Sequence, residues 1–208
     1  MAVTIGQEGN TEKKQQLIFE AVDFGLKAME ADDLNSEAHK WYAIVIGSRG
    51  EYLGIKEKIL DGFEFKKHID RAEELSPQDH TIKHLLGRFC YEVAALSWWE
   101  RKMAATLFAD PPNATMDEAL EHFLAAEVLK PDGWKENRQF IAKTYIQLKD
   151  YHTAICWLDK AVELPVKNPD VSNSYLKTLA IFNDITILQD QQAQNDIEEL
   201  LLQYQAYR

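Results

Sequence analysis

The sequence predicts an all-α protein of repeated helix pairs, with about nine helices in all. Three observations carry that prediction. Apolar residues recur at helical spacing almost from end to end, as in Leu17, Ile18, Ala21, Val22, Gly25 and Ala28. No stretch shows the sustained alternation of a half-buried strand bounded by turn residues. Three segments close alike: HIDRAEELSP, HFLAAEVLKP and WLDKAVELP. Aligned on Ala72, Ala126 and Ala161, each has an apolar residue three back (Ile69, Phe123, Leu158), a Leu three on (Leu75, Leu129, Leu164) and then a proline.

The elements follow in chain order. Residues 1–10 read as a flexible N-terminus, and residues 11–208 as a single helical-repeat domain. The stretch SEAHKWYAIVIGSRGEY reads as the first helix of a pair over 36–77. Ser76-Pro77-Gln78-Asp79 offers a cap, a proline at the first helical position and an acid in the first turn. One long helix is expected from there, about Asp79 to Phe108, opening a second pair over 80–131. On it Phe89, Val93, Leu96, Trp99, Met103 and Leu107 form one stripe; Tyr91, Ala94, Ala95, Trp98 and Ala105 form another, roughly opposite. A helix apolar on two sides reads as a buried central element, with Trp99 in the core. Asp110-Pro111-Pro112 ends it, because a residue before proline avoids helical backbone. Thr115-Met116-Asp117-Glu118 is a capping box and opens the next helix. Ile141, Tyr145 and Leu148, then Ala154, Ile155, Leu158, Ala161 and Val162, carry the third pair over 135–165. Asn168-Pro169-Asp170 marks a further start. Tyr175, Leu176, Leu179, Phe182 and Leu188, then Ile197, Leu200, Leu201 and Tyr204, read as capping helices over 170–207.

The repeated ending, with HLLGRFC and IAKTYIQLKDYHTA ahead of two of its copies, resembles the tetratricopeptide repeat, a helix pair of about 34 residues. The resemblance implies a right-handed superhelical array. It also implies insertions, around LGIKEKILDG and within residues 80–108. The combination GIKEKILDGFEFKKHIDRAEELSPQD, HLLGRFCYEVAALSWWERKMAATLFADPPNATMDEALEHFLAAE and AICWLDKAVELP narrows this further. Over roughly residues 15–165 the chain is similar to the regulator of microtubule dynamics family. That resemblance implies association with microtubules and the spindle and, for some members, contacts between mitochondria and endoplasmic reticulum with lipid binding. Several members carry an N-terminal membrane anchor, which this sequence lacks, so a cytoplasmic, cytoskeletal setting is expected.

Composition limits the alternatives. The 208 residues carry a net charge of −11, which disfavours nucleic acid and anionic membranes as partners of the whole chain. Residues 1–35 hold 3 basic and 7 acidic side chains, residues 36–107 hold 11 of each, and residues 108–208 hold 9 and 16. No signal peptide and no apolar run long enough to span a bilayer is present. Cys90 and Cys156 each read as a small buried hydrophobe.

Neither an enzyme nor a cofactor is expected: there is no glycine-rich phosphate loop and no Cys-x-x-Cys. His80 and His84 have the spacing of two metal ligands, but no third ligand accompanies them, so no metal is expected. Binding is the better reading. Carried over from the tetratricopeptide resemblance, the concave face takes Lys40 and Ile44, then His84, Arg88 and Tyr91, then Gln139, Lys143 and Gln147. Lys40, His84, Arg88, Tyr91, Gln139 and Lys143 are the candidate partner-binding residues of a basic groove for an acidic segment, such as a tubulin tail, or for a phosphate head group. A general polar solvated face is the plainer alternative. A second function class is a lipid-binding module, with Trp98 and Met103 lining an apolar pocket for phospholipid. Lys56 to His68 is a second basic stretch, but Glu57, Asp61 and Glu64 interleave with its lysines.

Overall fold

The computed structural model describes residues 2–108, 112–164 and 195–203, with side chains from residue 12. These residues are all-α: among them there are eight α-helices, one 3-10 turn, a helical segment at 195–203 and no strand. The helices are α1 (Ala2–Ala31), α2 (Ser36–Arg49), α3 (Ile55–Leu75), α4 (His80–Ala95), α5 (Trp98–Leu107), α6 (Met116–Leu129), α7 (Lys135–Gln147) and α8 (Tyr151–Val162). The chain divides into two compact units, residues 1–114 and 115–208. The division falls inside the helix pair expected over 80–131.

In the first unit α1 packs on α2, α2 on α3, and α3 on both α4 and α5. Helices α2 and α3 run antiparallel. The Ser36 hydroxyl at the start of α2 donates to the Ala72 carbonyl near the end of α3 at 3.0 Å, while Arg49 at the end of α2 grips Asp61 near the start of α3 with two bonds. Between them Ala43, Ile69, Ala72, Ile82, Leu85 and Leu86 form the core, flanked by Ile44 and Phe65. Each large aliphatic side chain buried there contributes about 1.5–3 kcal/mol. Helix α1 lies close against α2 at Gly25, where a β-carbon would come 3.3 Å from the Tyr42 Cα.

The second unit is stitched by polar side chains of α7. Asn137 donates to the Phe123 carbonyl of α6, Arg138 pairs with Glu127 of α6 at 2.7 Å, and the Lys135 ammonium donates to the Ala161 carbonyl of α8. Because the start of α7 meets the later part of both neighbours, it runs antiparallel to each. Gly133, between α6 and α7, has φ +77, and a β-carbon there would lie 2.6 Å from an Arg138 guanidinium nitrogen. The 195–203 segment adds Ile197 to a core of Ala142, Leu158 and Ala161.

The repeated ending has a direct physical counterpart. Ile69 with Ala72, Phe123 with Ala126, and Leu158 with Ala161 are all at most 1% exposed. The box at Thr115 and Glu118 forms with both of its reciprocal bonds.

Other expectations are corrected. The single helix over 79–108 is two helices, because Ser97 and Glu100 make a second capping box that restarts the helical phase after an extended Leu96. Helix α4 is capped by Asp79 rather than Ser76: the Asp79 carboxylate takes the N–H groups of Thr81 and Ile82, and Ser76 to Gln78 become a turn before it. Helix α1 begins at Ala2, upstream of residue 11. Cys90 is buried, but Cys156 is exposed, one position out of phase with the buried Ile155 and Leu158. The expected break at Asp110-Pro111, the Asn168-Pro169-Asp170 start, and the capping residues Tyr175, Leu176, Leu179, Phe182, Leu188 and Tyr204 lie outside the described residues.

Candidate functional site

In the first unit the expected groove residues sit on α2 and α4. Lys40 is 7% exposed, and its ammonium donates to Asp79 at 2.7 Å and to Glu37. Burial alone would pull the Lys40 pKa down; the hydrogen bonds to Asp79 and Glu37 outweigh it and raise it above the ordinary lysine value. The reciprocal holds for Asp79. Burial favours its protonated form, but Lys40 and the two α4 N–H groups hold it below the usual carboxylate range. Lys40 therefore ties α2 to the start of α4, and its charge is neutralised inside the unit. This corrects its assignment as a groove cation: the acid read as a first-turn residue is the cap, and it faces the lysine.

On α4, His84, Arg88 and Tyr91 fall at helical spacing on one face. His84 is 1% exposed, while Arg88 and Tyr91 are half-buried. Ile44, on α2, is half-buried against the core. In the second unit Gln139 and Lys143 converge on one carboxylate oxygen of Asp196, each at 3.0 Å. The structure thus joins Lys40 to α4 and Gln139 to Lys143, each set within its own unit.

Trp98 and Met103, expected to line an apolar pocket, are both exposed. Trp98 is 61% exposed, its neighbour Trp99 73% and Met103 37%. All three stand on α5, a helix whose buried residue is Ala104. The indoles meet edge to face, centroids 4.7 Å apart, and the Lys102 ammonium lies 4.5 Å over the Trp98 ring. Contacts with α3 and α4 hold α5. Phe108 stacks on Phe63 of α3, Arg101 donates to the carbonyls of Ala94 and Leu96 at the end of α4, and Ala104 is buried. Glu100 closes the capping box. The Ser97 hydroxyl and N–H hold its pKa below the ordinary glutamate value, with a smaller pull from Lys58 of α3. Trp99, expected in the core, is exposed because the Ser97–Glu100 box restarts the helix just ahead of it. The Ser97-x-x-Glu100 spacing was the signal available for this surface, and it places Lys102 one turn beyond Trp98.

A second arrangement left no trace in the sequence. His39 and His68 are buried between α2 and α3 with their Nδ1 atoms 2.9 Å apart. On α3, Lys66 pairs with Asp70 and Lys67 with Glu64, while Asp61, expected among solvated acids, is buried against Arg49. Among the described residues no helix is long and apolar enough to cross a membrane, and no group of three or more His, Cys, Asp or Glu could hold a metal ion.

Comparison with known proteins agrees on one family. The family profile described as "Regulator of microtubule dynamics protein 1-3" matches residues 1–205. Among curated proteins, "Regulator of microtubule dynamics protein 1" of Bos taurus is 42% identical over 154 residues, 74% of this chain and 49% of the relative. "Regulator of microtubule dynamics protein 3" of Xenopus laevis is 43% identical over 156 residues, covering 75% of this chain and 34% of the relative. "Regulator of microtubule dynamics protein 2" of Bos taurus is 40% identical over 156 residues, covering 75% and 38%. The chain spans at most about half the length of these relatives.

Proposed function

Because this chain belongs to the regulator of microtubule dynamics family, we propose that it works as a non-enzymatic interaction module on microtubules, spindle microtubules included, and takes an acidic partner segment. The observation that carries the acidic-partner reading is the charge distribution. Residues 36–107 hold 11 basic and 11 acidic side chains, between ends holding 3 against 7 and 9 against 16. An acidic segment meets net repulsion at either end and none in the middle. Within that middle, α4 offers Arg88 and Tyr91 on one face, above the buried His84. Lys40 supports that face by fixing the Asp79 cap of α4.

Microtubule co-pelleting with the parent chain at rising salt tests the reading. Binding that weakens steadily with salt is expected, because exposed charges are screened over about 8 Å at physiological ionic strength. Absence of the parent chain from the pellet even at low salt would overturn it. Arg88→Glu should lower pelleting at every salt concentration. Unchanged pelleting of Arg88→Glu would remove the α4 face from the proposal.

A further inference from the structure

We propose that the first two turns of α5, with Trp98, Trp99, Lys102 and Met103, are a protein-docking ledge for an extended acidic segment that carries an apolar residue among its carboxylates. The proposal rests on the reading that the partner is acidic, and it names a surface outside the α4 face. Trp is expensive to leave in water, and these two are 61% and 73% exposed at adjacent positions. Trp is also among the residues that most often dominate interface energetics. The Ser97–Glu100 box caps the turn they stand on, and the two rings meet edge to face.

The ledge has two chemically different strips. Trp99 and Met103 are one helical turn apart and present apolar surface. Trp98 and Lys102 are likewise one turn apart, and present a ring with an ammonium over its face. Of the nearby charges, Arg101 is committed to the carbonyls that end α4, and Glu100 to the cap. Lys102 is left facing outward, with Lys58 of α3 close enough to act on Glu100. The ledge is therefore locally cationic on a chain of net charge −11, which selects an anionic occupant.

The same charges favour a narrow occupant over a broad one. A peptide crossing the ledge feels charges within about 8–10 Å, the screening length at physiological salt. An anionic bilayer would face a whole side of the acidic chain. An apolar or aromatic residue of the peptide covers the indoles, and flanking carboxylates meet Lys102 and Lys58.

The test uses the full chain and a synthetic glutamate-rich peptide bearing one phenylalanine, followed by NMR of the indole N–H signals. Trp98→Phe and Trp99→Phe variants assign the two signals. Titration should shift both. Lys102→Glu, and separately Trp98→Ser with Trp99→Ser, should weaken binding about tenfold or more, with the circular dichroism of the parent retained. Peptide that leaves both indole signals unmoved would overturn the proposal, whether or not the chain pellets with microtubules. Shifts produced by phosphatidylserine vesicles and not by the peptide would overturn it in favour of a membrane surface. Shifts with the peptide in a chain that never pellets would support the ledge and reject the microtubule reading, so the two fail separately.

Discussion

The Nδ1 atoms of His39 and His68 are hydrogen-bonded to each other at 2.9 Å, in the buried seam between α2 and α3. One nitrogen donates and the other accepts, so the pair needs at least one imidazole without a proton at Nδ1. Their outer nitrogens face acids: Nε2 of His39 lies 3.3 Å from an Asp33 oxygen, and Nε2 of His68 lies 3.4 Å from Glu64. Tyr42 packs edge-on against His68. Two imidazoliums would set two N–H groups head to head in a buried seam.

This arrangement predicts acid sensitivity. Burial lowers the His68 pKa below the ordinary histidine value, and the charges of Lys67 and His39 lower it further, against a smaller opposing pull from Glu64. The unfolded chain therefore takes up this proton at about pH 6.5, before the folded chain does. Stability is full above that value and declines as pH falls below it. Thermal melts between about pH 7.5 and about pH 5.5 should show the midpoint dropping, and His68→Gln, which keeps a hydrogen-bonding partner for His39 without titrating, should flatten the drop. A parent midpoint independent of pH across this range would refute the account.

The Lys40–Asp79 pair predicts the opposite ends of the pH scale. Asp79 is held low, so its contribution is present above the ordinary aspartate value, about 3.9, and is lost as pH falls below it. Lys40 is held high, so its contribution is present below about pH 10.4 and is lost as pH rises through its raised value. Asp79→Asn keeps a capping oxygen for α4 but leaves the ammonium with Glu37 alone. The expected cost at neutral pH is about 1.5–3 kcal/mol, the range for a hydrogen bond to a charged group. Denaturant unfolding measures it, and Glu37→Gln, at the exposed partner, should cost clearly less.

Ser97→Ala removes the hydroxyl that starts α5. A lost cap costs about 0.5–2 kcal/mol. The loss should appear locally, within α5. Amide hydrogen exchange should accelerate over Glu100 to Ala104, while protection across α2 and α3 stays as in the parent. Slower or equal exchange in α5 would count against the capping box as its start signal.

Ala126 is 1% exposed, one turn from Phe123, which is fully buried against the polar stitching of α7. Ala126→Leu should overpack this contact and cost about 1–3 kcal/mol. Val128→Leu, on the same helix but 81% exposed, should leave the melting midpoint within experimental scatter.

Much of the fold was legible because it rests on local, repeated signals. Ala72, Ala126 and Ala161 mark close helix contacts, where a larger side chain would not fit, and the same three-residue step brings Ile69, Phe123 and Leu158 beneath them. Thr115 and Glu118 announce a helix start within four residues. The break at Leu96 was hidden by an accident of phase. Stripes drawn through Trp98 and Trp99 run on smoothly only if Ser97 is taken as helix interior. The groove was hardest to read, since the fate of a cation depends on partners far along the chain. Lys40 meets Asp79, thirty-nine residues on, and Lys143 meets Asp196, fifty-three residues on. Nothing in the spacing of either lysine announces its acid, and nothing pairs His39 with His68.

The way α5 is held has a consequence for how such a protein can diverge. Core residues such as Ile69 and Phe123 are constrained from every side, so substitutions there are judged first by whether the chain folds. Trp98, Trp99 and Lys102 stand on a helix kept in place by Ala104, Arg101 and Phe108, none of which is part of the ledge. Substitutions at exposed positions of this kind usually change stability by no more than about 0.5 kcal/mol. Selection on partner choice can therefore act at 98, 99 and 102 without passing through the fold, so descendants of one scaffold could exchange partners while keeping the same core.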